Sequence, residues 1–317
     1  MIRLVAILLG VLAALPALAQ PSGARATVVT VGTGPFGGTY YPVGRALCQA
    51  IDREAAAGGM RCSAEPTPGS VYNLRMLREG ELDFALVQAD TQFAAIQGGG
   101  AEPPFRGLRS LFALYDEAFV VIAAPGAGIE RIEDLRARRV NTGSTGSGTR
   151  GTWDALAAVL GWQGPDQVRG MDSRDIGAAL CARAMDASVM VGFQPAAALR
   201  SQLSACETHL VPVTGPAVAA LLRRHPYYRP VSLPAATYGT PGDIETFGVS
   251  SDFVTTDRAD PRVVSVIVRA VVANLEDIAA QSPALARLRL RGMVGDGLTA
   301  PLHPAAAAIY RELGLIR

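Results

Sequence analysis

Hydrophobic and polar residues follow two different periods along this chain. Continuous apolar runs at residues 27–34 (TVVTVGTG) and 83–90 (DFALVQAD) predict buried strands. Between these runs, apolar residues at helical spacing predict helices over residues 41–53 and 70–78, the second of which ends at Gly80. Strands that alternate with helices in this way predict an α/β fold with mixed, mostly parallel sheets and helices on both faces.

Two long β-rich segments, at residues 108–124 and 245–256, interrupt this alternation. Between them the first pattern returns, with a helix predicted from about Ile132 and strands near residues 139–142 and 187–191. A chain of 317 residues exceeds what one hydrophobic core usually organises, so we expect two lobes. The two long segments are then expected to cross between the lobes as a hinge.

The predicted lobe boundaries lie in these crossing segments. Lobe I is expected to comprise residues 27–118 and 250–317, and lobe II residues 119–249. The chain after Pro261 is predicted to be mainly helical.

The first residues have the pattern of a cleavable secretory signal. Residues 1–19 contain one arginine, an apolar core, Pro16 and a final Ala-Leu-Ala before Gln20. No later window offers about twenty uninterrupted apolar residues, so the mature protein is expected to be exported and soluble. The formal net charge is +1 with no long basic run, which argues against a nucleic-acid partner.

Four cysteines remain in the exported chain, and two interpretations of them are open. An even number outside the cytosol favours disulfides, and the pairing of Cys48 with Cys62 and of Cys181 with Cys206 closes the shortest loops of the three possible connectivities. A zinc site would need ligand spacing that neither the cysteines nor the three histidines show. We therefore expect two disulfides and no metal.

Glycine and hydroxyl residues concentrate where four predicted strands lead into helices. In an open α/β sheet, ligands bind at these carboxyl ends of strands, so we expect a site in the cleft between the lobes. The candidate residues are Thr33, Gly34, Phe36, Gly37, Gly38, Thr39, Tyr40 and Tyr41; Gly69, Ser70, Val71 and Asn73; Gln88 and Asp90; and Asn141, Gly143, Ser144, Gly146, Ser147, Gly148, Thr149 and Arg150.

The last of these loops, at residues 141–150, tests the enzyme classes. It lacks the lysine of a phosphate-binding Walker loop, and neither Ser144 nor Ser147 has the flanking glycines of a hydrolase elbow. The first turn of a helix leaves N–H groups unpaired, so the loop favours capture of a carboxylate or phosphate without turnover. We expect no catalytic residue and no cofactor.

Several of the candidate residues also have a purely structural interpretation. Arg150 has the geometry to contact a carboxylate, but it can equally pair with Asp154 one turn later, while Ser147 or Thr149 caps the helix. Asp90 either holds an ammonium group of a ligand or caps the helix that follows it.

The neighbouring aromatic and polar candidates divide in the same way. Of Tyr40 and Tyr41, we expect one to line the site and one to pack beneath the loop. Ser70 is a credible helix cap, although the turn before it also directs main-chain amides at the cleft. Gln88 is a polar residue in an apolar strand and is expected to face the cleft.

A set of motifs in one order resembles a known family. They are VGTGPFGGTYYPVGRALC, CSAEPTPGSVYNLRMLREGELDFALVQAD, VNTGSTGSGTRGT, HPYYRP, ETFGVSSDFVTT and APLHPAAAAIYRELG. From about Val28 to the C-terminus the chain resembles the TAXI family of periplasmic solute-binding proteins, which serve TRAP transporters. The resemblance implies a two-lobed type II binding protein that closes on a small carboxylate, such as glutamate or a dicarboxylate, and delivers it to integral-membrane subunits.

The resemblance also supports the local cysteine pairs and implies a periplasmic monomer. One position departs from it: where relatives often have Gly-His-Pro, this chain has Phe193-Gln194-Pro195, so an amide replaces a titratable ring. Gln194 remains a candidate donor or acceptor for the solute. The alternative function is a ligand-sensing domain or a secreted hydrolase on the same fold.

Overall fold

The computed structural model describes residues 27–55, 58–98, 103–162, 171, 173–295 and 297–317. The predicted signal segment, residues 1–19, lies outside the described residues. No helix in the described part of the chain combines the length and the apolar character needed to cross a membrane.

Strands and helices alternate through most of the described chain. The strands are β1 (Thr27–Gly32), β2 (Met60–Glu65), β3 (Phe84–Gln88), β4 (Leu108–Ala123), β5 (Val140–Asn141), β6 (Ala187–Gly192), β7 (His209–Val211), β8 (Tyr228–Leu233) and β9 (Ile244–Thr256). The helices are α1 (Tyr40–Ala55), α2 (Ser70–Glu79), α3 (Ala89–Gln97), α4 (Gly148–Val159), α5 (Ser173–Cys181), α6 (Ala197–Ala205), α7 (Pro216–Arg224), α8 (Ala235–Tyr238), α9 (Pro261–Ala273), α10 (Leu275–Gln281) and α11 (Pro304–Glu312).

Local chemistry explains where two of the predicted helices end. Helix α2 stops at Gly80, which adopts a left-handed φ of 81° and donates its N–H to the Leu77 carbonyl. The helix predicted from about Ile132 is instead a single 3-10 turn, Ile132–Leu135. The backbone leaves the helical region at Arg136, and Ala137 takes a positive φ of 58°, so the turn does not continue.

The strands form one mixed sheet in the order β2-β1-β3-β9-β4-β6-β5, with β7 paired to β4 and β8 paired to β9. The pairings β1–β2, β1–β3 and β5–β6 are parallel, as expected where strands alternate with helices. Every antiparallel pairing among the described strands involves β4 or β9. The sheet is therefore mixed because the two long strands cross it.

Strands β4 and β9 connect the two larger hydrophobic clusters of the molecule. The first cluster takes its buried residues from positions 29–114 and 253–310, and the second from positions 118–249 together with Ala89. Each long strand contributes to both clusters, for example through Phe112 and Phe119 of β4. The crossing β segments predicted from the sequence are thus present, while the exact lobe boundaries stay a prediction.

Two disulfides join neighbouring elements, and the sequence-local pairing is confirmed. Cys48 of α1 is bonded to Cys62 of β2, and Cys181 at the end of α5 is bonded to Cys206 at the end of α6. Each bridge links a helix to a neighbouring element. A disulfide stabilises the fold mainly by restricting the unfolded chain.

Candidate functional site

Six polar residues and one glycine lie where the two hydrophobic clusters meet, and we call this group the polar junction. Three of its residues are the first residues of helices α1, α2 and α4, and the others lie on strands β3, β4 and β9. Its members are Tyr40, Ser70, Gly148, Gln88, Tyr115, Glu117 and Ser251.

Glu117 is the ionisable carboxyl of the polar junction. Its side chain is buried, and its Oε2 accepts a hydrogen bond from the Tyr40 hydroxyl at 3.3 Å. Burial raises the pKa of Glu117 to about 8, because a charge is poorly solvated there; hydrogen bonds from Tyr40 and Gln88 lower the pKa, while the carboxyls of Asp90 and Asp252 raise it further. At neutral pH this carboxyl therefore retains a proton.

Three polar atoms of the junction are buried without a hydrogen-bond partner in the structure, namely Gln88 Oε1, Tyr115 OH and Ser251 Oγ. Ser251 lies close enough to lower the pKa of the Tyr40 and Tyr115 hydroxyls, which burial and the nearby Glu117 raise, but its Oγ makes no well-directed hydrogen bond. Each such buried atom costs about 1–3 kcal/mol of desolvation. Their concentration at one place points to a polar ligand that would supply partners.

The second and fourth glycine-rich turns face each other across the junction, as the sequence predicts for strand ends. A Cβ added at Gly69 would lie 3.5 Å from the Ser147 Cα, and the Tyr72 N–H in the first turn of α2 donates to the Gly146 carbonyl at 3.0 Å. The two turns are thus in direct contact. The Tyr72 N–H is therefore used within the protein, because the Gly146 carbonyl accepts from it.

The residues that begin α4 adopt the structural alternatives that the sequence left open. The Ser147 hydroxyl caps the helix by accepting from the Arg150 N–H at 3.2 Å. The Arg150 guanidinium pairs with Asp154, with Nε 2.9 Å from Oδ1. The Thr149 hydroxyl accepts the Val191 N–H of β6 at 3.1 Å. This loop therefore presents the backbone of its glycines to the junction. Its polar side chains have hydrogen-bond and ion-pair partners within α4 and β6.

The start of the same loop is held by a side chain. Asn141 donates to the Ser188 hydroxyl at 3.1 Å and accepts from the Gly143 N–H at 3.3 Å. Gly143 and Gly146 have φ values of 85° and 90°, which L side chains rarely adopt. These residues shape the turn, and Ser144 closes it by accepting the Ser147 N–H.

The two tyrosines of the first loop lie in different surroundings, and the lining of a site by one of them stays a prediction. Tyr40 is buried at the polar junction, whereas Tyr41 packs against Phe36 with ring centroids 4.6 Å apart. Phe36 is 70% exposed, and the neighbouring Gly37 is also exposed, so the tip of the loop lies away from the junction. The remaining loop candidates, Thr33, Gly34, Gly38 and Thr39, connect this tip to the buried strand end.

Asn73 is a buried residue that positions the first loop. Its Nδ2 donates to the carbonyls of Thr33 and Leu86, at 2.8 and 3.0 Å, and its Oδ1 accepts from the Thr67 hydroxyl at 2.7 Å. These bonds satisfy the amide completely. Asn73 thus ties the end of β1 to the end of β3, and Val71 two residues earlier points outward with 43% exposure.

Replacing Asn73 by alanine is expected to lower the free energy of unfolding by about 2 kcal/mol, because buried carbonyls lose their donor. Urea denaturation followed by circular dichroism measures this. Tyr72→Phe on the same helix is the control, since no hydrogen bond of the Tyr72 hydroxyl is among the described contacts. Equal stability of the two variants would contradict the positioning role.

Asp90 connects α3 to elements of the second cluster. Its Oδ2 accepts from the Thr152 hydroxyl of α4 at 2.5 Å and from the Tyr228 hydroxyl of β8 at 2.8 Å, and its Oδ1 accepts from the Thr91 N–H at 2.7 Å. Burial raises the pKa of Asp90, and these hydrogen bonds oppose the shift. The carboxyl has its partners within the protein, so it joins the two sides of the junction.

Asp90→Asn is expected to destabilise the protein by about 2 kcal/mol, because an amide has only one acceptor oxygen. In either orientation its N–H₂ group faces a donor, either the two hydroxyls or the Thr91 N–H. Tyr228→Phe removes one donor without leaving a polar group behind and is expected to cost less. Unfolding of both single variants and the double variant gives the coupling energy. A coupling near zero would show that this hydrogen bond does not join the two clusters.

The side-chain amide of Gln194 finds its hydrogen-bond partners outside the junction. Its amide donates to the Gly192 carbonyl, and its oxygen accepts from the Tyr238 hydroxyl. The ring of the adjacent Phe193 packs in a T-shaped arrangement with Tyr115, with ring centroids 5.8 Å apart.

Sequence reasoning missed three members of the junction: Tyr115, Glu117 and Ser251. The available signal was polarity inside predicted strands, because Glu117 interrupts the apolar segment 108–124 and Ser251 lies in the polar run of segment 245–256. No group of three or more histidine, cysteine, aspartate and glutamate side chains in the described residues is arranged to hold a metal ion.

The family of the chain is decided by a match over nearly its whole length. A profile of the NMT1-like family matches residues 31–314. The chain belongs to the NMT1-like family. The match includes every element that contributes to the polar junction of this NMT1-like protein.

Solved structures of low sequence identity share the fold of this NMT1-like chain. A Listeria monocytogenes protein described as an L-cystine ABC transporter is 15% identical, with a TM-score of 0.52 over 82% of this chain and 97% of that one. A periplasmic transporter is 13% identical, with a TM-score of 0.54 over 93% and 94%. MatC from Rhodopseudomonas palustris with bound malate is 16% identical, with a TM-score of 0.52 over 82% and 88%. The NMT1-like chain thus has the fold of periplasmic solute-binding proteins.

Proposed function

We propose that this protein is an extracytoplasmic receptor that binds a small carboxylate between two lobes and delivers it to membrane transporter subunits. The observation that supports this most is the meeting of two helix starts, α2 and α4, at one polar junction, which the Tyr40 side chain of α1 also enters. Helix starts carry partial positive charge and favour an anion. They come from both proposed lobes, so a solute there would contact both.

Closure around the solute follows from these contacts. Lobe I, residues 27–118 and 250–317, and lobe II, residues 119–249, touch through the Tyr72–Gly146 and Asp90–Thr152 hydrogen bonds. A solute that contacts both lobes stabilises the closed arrangement by its additional contacts there. We propose that the membrane partner recognises this closed form.

The finer assignment rests on the motifs in the sequence. Their order resembles the TAXI family, so the proposed partner is the integral-membrane part of a TRAP transporter, and the proposed solute is a glutamate-like amino acid or a dicarboxylate. The signal-like pattern of residues 1–19 supports export to the periplasm, and we propose that the receptor acts there as a monomer without catalytic turnover.

A thermal-shift screen of amino acids and dicarboxylates tests the function, followed by solution scattering with the best compound. A solute present at about 100 times its dissociation constant should stabilise the protein by about 2.7 kcal/mol and make it more compact. Product analysis of the same mixtures should show the solute unchanged. Stabilisation by no small carboxylate, or consumption of the solute, would contradict the proposal and favour a hydrolase.

A further inference from the structure

We infer that Glu117 determines which solute binds, by accepting hydrogen bonds from a protonated amine, so that the site takes an amino acid in preference to the corresponding acid without the amine. This inference rests on the proposed function, because it assumes a solute at the polar junction. The sequence left both amino acids and dicarboxylates as candidate solutes, and the buried Glu117 side chain would select between them.

The charges around Glu117 favour a cation over a second anion. The groups that act on its carboxyl are Tyr40 of α1, Gln88 of β3, Asp90 of α3 and Asp252 of β9, and its own charge acts on Tyr115 of β4. All of these groups are neutral or acidic. Because none of these groups is cationic, a second carboxylate would gain no counter-charge here, whereas an ammonium group would pair with the ionised form of Glu117.

The neighbouring arginines are paired with carboxylates outside the junction, although the charge of Arg229 also lowers the pKa of Asp252. Arg150 at the start of α4 is bonded to Asp154, and Arg229 of β8 is bonded to Asp116 with Nη2 3.0 Å from Oδ1. Among the described residues, neither guanidinium is paired with Glu117.

The unpartnered atoms of the junction are acceptors of the kind that an amine needs beside Glu117. An ammonium group has three N–H donors and no acceptor. Gln88 Oε1, Tyr115 OH and Ser251 Oγ each have acceptor capacity and no hydrogen-bond partner, and Gln88 is 98% buried beside Glu117. The carboxylate of the same solute would lie toward the helix starts, where positive partial charge is concentrated.

Binding of an amine at this carboxyl has a consequence for protons. Burial raises the pKa of Glu117 to about 8, so at neutral pH the carboxyl is protonated before the amine arrives. An ammonium group needs the ionised form, so Glu117 gives its proton to the solvent as the complex forms. Binding at neutral pH should therefore release close to one proton.

Calorimetry with matched pairs of compounds tests the inference: L-glutamate with glutarate, L-alanine with propionate, and L-leucine with 4-methylpentanoate. We expect the amine-bearing member of at least one pair to bind at least about 100-fold more tightly than its partner, in line with the loss of a buried charge-assisted contact. Glu117→Gln should reduce that affinity by at least about 30-fold. Glu81→Gln, the same substitution at an exposed glutamate outside the junction, should leave it unchanged.

The outcomes separate this inference from the proposed function. If the acids without an amine bind as tightly as the amino acids, the inference is overturned while the receptor function stands. If no compound of either kind binds, the receptor function itself fails. Should Glu117→Gln not fold, titration of the wild type in two buffers of different ionisation enthalpy measures proton release directly, and a value of zero would overturn the inference.

Discussion

Gly148→Ala is expected to weaken solute binding by at least about 100-fold while leaving both hydrophobic clusters folded. A Cβ at position 148 would lie 1.5 Å from Gln88 Oε1 and 2.8 Å from Ser70 Oγ, and both of these side chains are buried. Neither can move aside without losing its packing, so the start of α4 must withdraw from α2 and β3. The lobes could then no longer close fully. Alanine favours the helix itself, so α4 should persist.

Gly151→Ala on the same helix is the matched control. Its added Cβ would lie 3.7 Å from the Thr91 Oγ1 and 3.9 Å from Val71 Cγ2, which are ordinary contacts. Calorimetry with the compound that stabilises the wild type most, together with scattering of each variant, separates loss of closure from loss of folding. If Gly148→Ala binds and compacts as Gly151→Ala does, close contact at α4 is not needed for closure.

Glu117→Gln is expected to stabilise the protein at alkaline pH, in the absence of added solute, by on the order of 4 kcal/mol relative to the wild type. The folded protein raises the pKa of Glu117 to about 8, whereas an unfolded glutamate titrates near 4.3. Between these values the folded state holds a proton that the unfolded state has lost. The stability that this proton provides is full below the lower pKa and is lost as pH rises through the higher one.

Urea denaturation of both proteins at about pH 5, 7 and 8.5 measures this difference. The stability gap between Glu117→Gln and wild type should widen with pH and level off above about pH 8. Burial also raises the pKa of Asp252, to about 7, and because Asp252 is present in both proteins its own burial acts on both pH profiles. Parallel pH profiles would show that Glu117 is not held in its protonated form.

The same features that make the junction suitable for binding reduce its stability. A buried carboxyl and three unpartnered polar atoms all disfavour folding, and none of them contributes to either hydrophobic cluster. Such conflicts between local chemistry and packing are expected at functional sites. The fold tolerates them because two large clusters lie on either side.

Periodic segments were predicted correctly because their signal is local. The spacing of apolar residues gave helices α1 and α2 and the buried strand β3, and the glycine after α2 gave its end. The cysteine pairs followed from short loop lengths. The helix predicted from about Ile132 is only one turn long, because Arg136 and Ala137 adopt backbone angles that a helix does not allow.

The sequence by itself determined the alternation of strands and helices, the two crossing segments and the glycine-rich turns at the strand ends, because each depends on residues close together in the chain. Only the tertiary structure decided which groups meet at the junction. Glu117 and Ser251 lie in different strands and come together through the antiparallel pairing of β4 with β9, a register set by packing of both clusters. The burial that makes Glu117 retain a proton is a property of that packing, and no local pattern encodes it.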